Sequence, residues 1–399
     1  MYGQGTSSME YPVKNLRFKS KLKVNDEKFL FTVNDNEVDL VCLKVDYMES
    51  SGSHNTGTGN LVQMLLEGID GRGIKTPGQE YWTDKTDYKV LTAIQGFPVA
   101  VFYKNSNEPN APYEFIGKGN FNLDKATHEP FGFMSDPEEI TNINEAKFGW
   151  DENDGTNNIK GTVEQRPKYI SPEDEPIINS IYCYEFLNNA SNLANFLGTE
   201  NETFEQSFFK TVDSDGDSVP NWFTSYESRY PEGDADDGSD INIAPFYKLC
   251  SWLNSTSQTE ATNAPLEESY TGLDGVVYTA DTAQYRLAKF KKEFESHLNK
   301  DFTAFYYILT HVLLMIDSRA KNMMLATWGP EDGKGEDYIW YPIFYDMDTM
   351  LGLNNYGYNK FNYDIEDTAD NVYNGHKSVL WNNWRDAFPE YTKSFYQKM

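Results

Sequence analysis

The chain has 399 residues, 39% hydrophobic and 24% charged, which supplies packed cores and, by length, roughly two to three structural units. Its formal charge of −28 argues against nucleic acid and anionic membranes, whose phosphates such a surface repels. Three scattered cysteines (Cys42, Cys183, Cys250) form no CxxC pair, and five histidines form no HExxH, so a disulfide framework, a zinc knuckle and a zinc protease all lack support.

Residues 1–125 read as strands with turns. In "NLRFKSKLKV", Leu16, Phe18 and Leu22 alternate with Arg17, Lys19, Lys21 and Lys23, the pattern of a half-buried strand. "KFLFTV" and "VDLVCLKVDY" predict further strands. "SSGSHNTGTGN" reads as a turn-rich stretch leading into a short helix over "LVQMLLEGI", with Ser53 or Thr56 as its cap. "FPVAVFYKN" and "YEFIGKGNFNL" predict a hairpin around "SNEPNAPY". Residues 126–176, rich in Asp, Glu, Asn, Gly and Pro, read as loop or insertion, and "INSIYCYEFLNN" as another strand.

From about residue 200 the pattern turns helical. "ETFEQSFF" opens this half, and "APFYKLCSWLNS" repeats at helical spacing. In "AQYRLAKFKKEFESHLNK", Leu287, Phe290, Phe294 and Leu298 share a stripe. "DFTAFYYILTHVLLMI" is apolar almost all round and predicts a buried helix capped by Asp301. Strands return at "MMLATW" and "YIWYPIFYDM", and a last helix falls near "SVLWNNWRDAF". The expected class is α+β: a β-rich region over 1–190 against a mainly helical region over 191–399. No apolar run has transmembrane length and no signal peptide is recognised; the chain reads as a piece of a longer protein.

Asp317-Ser318-Arg319-Ala320-Lys321-Asn322 follows the buried helix. An aspartate and an asparagine at this spacing match the base and a metal ligand of a protein-kinase catalytic loop. The hairpin that follows ends on Asp346 and Asp348, and its outer ends must meet, which brings both acids toward Asp317 and Asn322. Carboxylates and an amide oxygen suit Mg²⁺. Asp317 is then the candidate base, with Asn322, Asp346 and Asp348 on metal. Lys321 is positioned for a γ-phosphate, and Arg319 for the same phosphate or an acid. A nucleotide also needs a cation from the β-rich region. Lys14 shares the parity of Leu16 and Phe18, while Arg17 and Lys19 have the opposite one; an inward lysine and a snorkelling one are both open at Lys14. "DSDGDSVPNW" places Asp213, Asp215 and Asp217 alternately, as in a calcium loop, but Ser218 and Thr224 stand where an EF-hand needs Gly and Glu, and a solvated acidic turn is the competing reading.

"GQGTSSMEYPVKNLRFK", "LKVDYMESSGSHNTGTGN", "DSRAKN" and "WYPIFYDMDTMLG" together resemble the CotH family, spore-coat protein kinases with bacterial and phage relatives. The resemblance implies an atypical protein-kinase-like two-lobe fold, ATP with Mg²⁺, and phosphorylation of protein serines. It places Asp317 at the family's catalytic Asp, Asp346 at its metal-binding Asp, and Lys14 or Lys19 in its nucleotide-binding strand. The chain departs from it at His54-Asn55, where many relatives carry Arg-Asn. A second expectation is a catalytically silent module of a virion or cell-surface assembly with protein partners; a third is a carbohydrate-binding surface protein.

Overall fold

The computed structural model describes residues 2–4, 12, 14–21, 23–24, 27–34, 36–47, 51–70, 91–104, 106, 108–124, 182–187, 202–214, 217–230, 243–258, 267–280, 282–315, 317–319, 322–330, 338–353, 357–359 and 378–399. The proposed insertion at 126–176 lies outside them.

Strands β1 (Tyr2–Gln4), β2 (Asn15–Lys19) and β3 (Leu40–Lys44) are followed by helix α1 (His54–Asp70), then by β4 (Gly96–Tyr103) and β5 (Glu114–Leu123). They form one antiparallel sheet in the order β1-β2-β3-β5-β4. Short two-stranded ladders at 23–28 and 31–38 fill the connection between β2 and β3. The alternation read from β2 holds. Leu16 registers with Leu43, Leu43 with Phe121 and Phe121 with Phe97, so these apolar residues share a face. Arg17 registers with Cys42, Cys42 with Asn122, and Lys44 with Asn120, so the opposite face is polar.

Helix α1 begins seven residues before the predicted "LVQMLLEGI" and takes in Gly57 and Gly59 of the expected turn. Ser53 precedes the first helical residue, and its carbonyl accepts the first intrahelical bond, from Gly57 at 2.7 Å. Glycine costs a helix about 1 kcal/mol relative to alanine, so a packing reason is needed. At Gly59 there is one: a β-carbon would land on the carbonyl oxygen of Ile94, in the strand approach to β4. The helix lies against backbone here, and only glycine lets it.

The second half holds more strand than its composition suggests. Strand β6 (Tyr182–Phe186) precedes α2 (Phe204–Phe209), which Thr203 and Gln206 cap reciprocally. A hairpin follows, β7 (Thr211–Ser214) and β8 (Asp217–Pro220), then β9 (Tyr226–Tyr230). Helix α3 (Ala244–Ser255), a small hairpin of β10 (Ser269–Thr271) and β11 (Val277–Thr279), α4 (Ala283–Glu293) and α5 (Lys300–Val312) lead to β12 (Met324–Pro330) and β13 (Tyr338–Ile343). The chain closes on α6 (Val379–Ala387) and α7 (Pro389–Tyr396). The expected Asp301 cap of α5 is instead Asn299, whose side-chain oxygen accepts from Phe302 N at 2.9 Å; Asp301 sits in the first turn, where its charge favours the helix dipole. Phe290, Phe294 and Leu298 are buried as their spacing predicts.

A second antiparallel sheet has the order β9-β6-β12-β13. By pairing, β6 belongs to this sheet, so the sheet recruits a strand from the region assigned to the first half. The middle is aromatic: Tyr184 stacks on Phe246 at 4.4 Å, and Trp340 meets both, at 6.1 and 5.4 Å. Phe344, just past β13, makes a parallel bridge to Ala93 and donates its N–H to Thr92 O at 2.8 Å. This joins the chain before β4 to the chain after β13, and one continuous buried cluster runs through both halves. No described helix is long and apolar enough to cross a membrane.

Candidate functional site

Helix α5 ends in a tight reversal, with Leu314 in the left-handed region (φ 48°) and Met315 N returning to Thr310 O at 2.9 Å. The turn beyond it is braced from behind. Tyr306 Oη donates to Ser318 O at 2.5 Å, and Trp381 of α6 donates its indole N–H to Arg319 O at 2.8 Å. Arg319 does not turn toward a phosphate. It is buried, its guanidinium carbon 4.3 Å from the Tyr307 ring centroid, and it donates to Thr310 Oγ1 (3.0 Å) and Tyr307 O (2.8 Å). It holds the turn to the helix, as a planar cation suits an aromatic face.

At the front of the turn Asp317 is buried and accepts from Asn322 Nδ2 at 2.9 Å. Asn322 has φ 54°, a conformation Asn tolerates better than most residues, and its N–H binds Phe186 O at 3.1 Å. The registered pair Met324–Ile343 forms the open end of the β12–β13 hairpin beside it, so the chain leaving β13 passes the same end of the sheet. That chain carries Asp346, also left-handed (φ 48°), and Asp348.

The partner of Asp346 is Lys44, at the end of β3: Nζ lies 2.6 Å from Oδ1. Burial alone pulls the Lys44 pKa down, but Asp346, Tyr345, Asp348 and Asp46 reverse this and leave it well above the usual lysine range. Asp348 moves in the direction expected of a crowded acid. Burial first, then Asp346, Asp46 and Asp317, raise its carboxyl well above the ordinary value, against the opposing pull of Lys44. Asp46, Asp317, Asp346 and Asp348 therefore act on one electrostatic neighbourhood, with Lys44 inside it.

The other expected residues fare differently. Arg17 is committed to Asp124, with Nε at 2.7 Å and a terminal nitrogen at 2.5 Å, and the Cys42 thiol donates to the same carboxylate at 2.6 Å. Lys19 is exposed at the end of β2, and Lys14 is half-buried just before it. Lys321 lies outside the described residues. Of the calcium candidates, Asp213 accepts from Ser218 Oγ at 3.4 Å within the β7–β8 hairpin; Asp215 and the Asp217 side chain lie outside the described residues.

Lys44 was missed from sequence, although its signal is legible. Val41-Cys42-Leu43-Lys44 has the form of the V-A-I-K strand of protein kinases, whose lysine pairs nucleotide phosphates, and a helix follows it. Asp46 and Asn120, both buried, carried no pattern that could find them, whereas Asn55 stands in the His54-Asn55 pair that the resemblance had already marked.

In kind, the donors at this corner, carboxylates and an amide oxygen, are those that Mg²⁺ takes. Among the described residues no three His, Cys, Asp or Glu side chains form a cage of their own. Mg²⁺ seldom uses one; it is held by one or two carboxylates with phosphate and water completing the shell, and Asp346, Asp348 and the Asn322 amide oxygen supply that much. Comparison with known proteins finds no matching family model and no matching curated protein.

Proposed function

We propose that this chain is a CotH-like phosphotransferase with an atypical kinase-like arrangement, taking ATP with Mg²⁺ and transferring phosphate to a protein hydroxyl, serine by resemblance. The observation that carries the reading is the Lys44–Asp346 pair: a lysine on a sheet strand meets the acid that follows a hairpin, at the turn holding Asp317 and Asn322. In the kinase scheme those are the phosphate lysine, the metal acid, the base and the metal amide. Asn322 and Asp346, with Asp348 beside them, would hold Mg²⁺, which neutralises charge on the transferring phosphoryl group.

The roles of the chain's own groups follow. Asp317, held by the Asn322 amide, takes the proton of the acceptor hydroxyl as its oxygen bonds to the γ-phosphorus; the bond from that phosphorus to the bridging oxygen breaks and ADP leaves. Lys44 leaves Asp346 for the phosphates. The pair seen here thus keeps each charge satisfied until a nucleotide arrives.

The test is nucleotide-dependent thermal stabilisation and phosphate transfer from labelled ATP. Wild type is expected to be stabilised by ATP only with Mg²⁺. Lys44→Ala and Asp346→Ala should lose that stabilisation, while Asp317→Ala keeps it and loses transfer by about 10²-fold or more. Wild-type nucleotide binding in Asp346→Ala sinks the metal assignment.

A second reading, an assembly module, has its own observation. The β4–β5 hairpin exposes Phe102, Tyr103, Tyr113, Phe115 and Ile116 near its turn. Concentration-dependent association that Phe115→Ser abolishes, in a chain inert toward ATP, would favour it.

A further inference from the structure

The acids at 346 and 348 are separated by Met347, and that residue's backbone is held from outside the loop. Asn55, in the first turn of α1 and fully buried, accepts the Met347 N–H on Oδ1 at 2.7 Å. Its Nδ2 donates to Asp46 Oδ1 at 3.2 Å. Asp46 takes a second bond on Oδ2, from Asn120 Nδ2 at 2.7 Å, and Asn120 Oδ1 accepts from the Thr56 hydroxyl at 3.0 Å. One residue earlier, His54 Nδ1 lies 3.1 Å from the Asp348 carbonyl; a carbonyl only accepts, so this nitrogen carries the proton. The start of α1 therefore grips the loop at two points, the peptide before Met347 and the peptide after Asp348, and the polar face of the five-stranded sheet grips the start of α1.

The chemistry of this relay selects asparagine. The Asp46 carboxylate can only accept, which turns the Asn55 nitrogen toward it and the oxygen toward Met347. Aspartate at 55 would set two carboxylates against each other; alanine would leave a buried N–H and part of Asp46 without the bonds they make here. Asp46 (φ 44°) and Asp346 (φ 48°) are both held in left-handed backbone at the two ends of the relay, and such conformations persist only where the surroundings over-determine them.

We infer that Asn55 is a positioning residue: by holding the peptide between Asp346 and Asp348 it sets the direction in which both carboxylates face, and so tunes metal and nucleotide binding without touching either. This rests on the reading of those acids as the metal side of the site.

Two measurements on the full chain test the inference, with Val62→Ala as a control. Val62 is a fully buried residue of the same helix, outside the relay. The first is amide hydrogen exchange over residues 344–350, which reads the grip whether or not nucleotide binds. Asn55→Ala and Asn55→Asp should speed exchange there by about tenfold or more, and Val62→Ala should leave it near wild type. The second is the MgCl₂ concentration giving half-maximal stabilisation by ATP. It should rise about tenfold in Asn55→Ala and stay unchanged in Val62→Ala. Wild-type exchange in Asn55→Ala, or equal acceleration in Val62→Ala, overturns the grip. Faster exchange with unchanged half-saturation overturns the tuning. A wild type that ignores Mg²⁺ and ATP overturns the kinase reading, and the tuning with it, while the exchange result still decides the grip.

Discussion

The aromatic middle of the four-stranded sheet and the acidic corner at its end lie a few residues apart and obey opposite rules. Around Trp340, Tyr184 and Phe246 the side chains are buried and pack, stacked, tilted or edge-on, at ordinary ring distances. Around Asp346 the backbone is left-handed at three non-glycine residues (Asp46, Asn322 and Asp346), three aspartates act on one lysine, and a fourth, Asp317, crowds Asp348. Such strain and like-charge crowding do nothing for folding by themselves, so the aromatic region must carry the stability that the corner gives up.

The largest effect should come from the aromatic side. Trp340→Ala empties the centre of that cluster and is expected to cost about 3–5 kcal/mol in a urea unfolding curve. A loss below about 1 kcal/mol would mean the sheet is not where stability resides.

Next comes a pH effect in the same region. His297 stacks on Trp252 at 4.3 Å, and burial, with a smaller push from Lys289, takes its pKa from 6.5 to about 4. The folded protein therefore binds fewer protons than the unfolded chain between these values. The stability is present above pH 6.5 and is lost as pH falls toward 4, by up to about 3 kcal/mol. Melting temperatures should fall less steeply over this range in His297→Gln than in wild type; parallel slopes would remove His297 as the cause.

The smallest effect sharpens the contrast from the acidic side. Asp348→Asn removes a half-buried carboxyl crowded by Asp346, Asp46 and Asp317, and should raise stability by about 1 kcal/mol while weakening Mg²⁺-dependent ATP binding. A drop in stability would show that the corner is balanced rather than crowded.

Much of this was legible beforehand, and for identifiable reasons. The β4–β5 and β12–β13 hairpins, α3, α4 and α5 follow from hydrophobic period and turn residues, and the meeting of hairpin ends followed from antiparallel geometry. Three things did not follow. Helix α1 hid behind glycines, because glycine reads as a turn locally and its role at Gly59 is an approach to Ile94 that lies far off in sequence. The strands β7 to β11 fell in a stretch whose composition reads helical or acidic, and β9 is strand because β6 pairs with it. Lys44 ends a V-A-I-K-like strand, but Lys14, Arg17 and Lys19 compete for the same role in the neighbouring strand, and only the pairing with Asp346 separates them.

The glycine in α1 has a mechanical consequence. Asn55 ties the helix to the acid-bearing loop, and Gly59, about 6 Å further along the axis, seats it on the Ile94 backbone. A rod tied at one point and seated at a second cannot slide lengthwise without disturbing both. The helix start and the acid loop are thus fixed in one register, so a displacement of the helix would have to break the Asn55 bond or clash at Gly59.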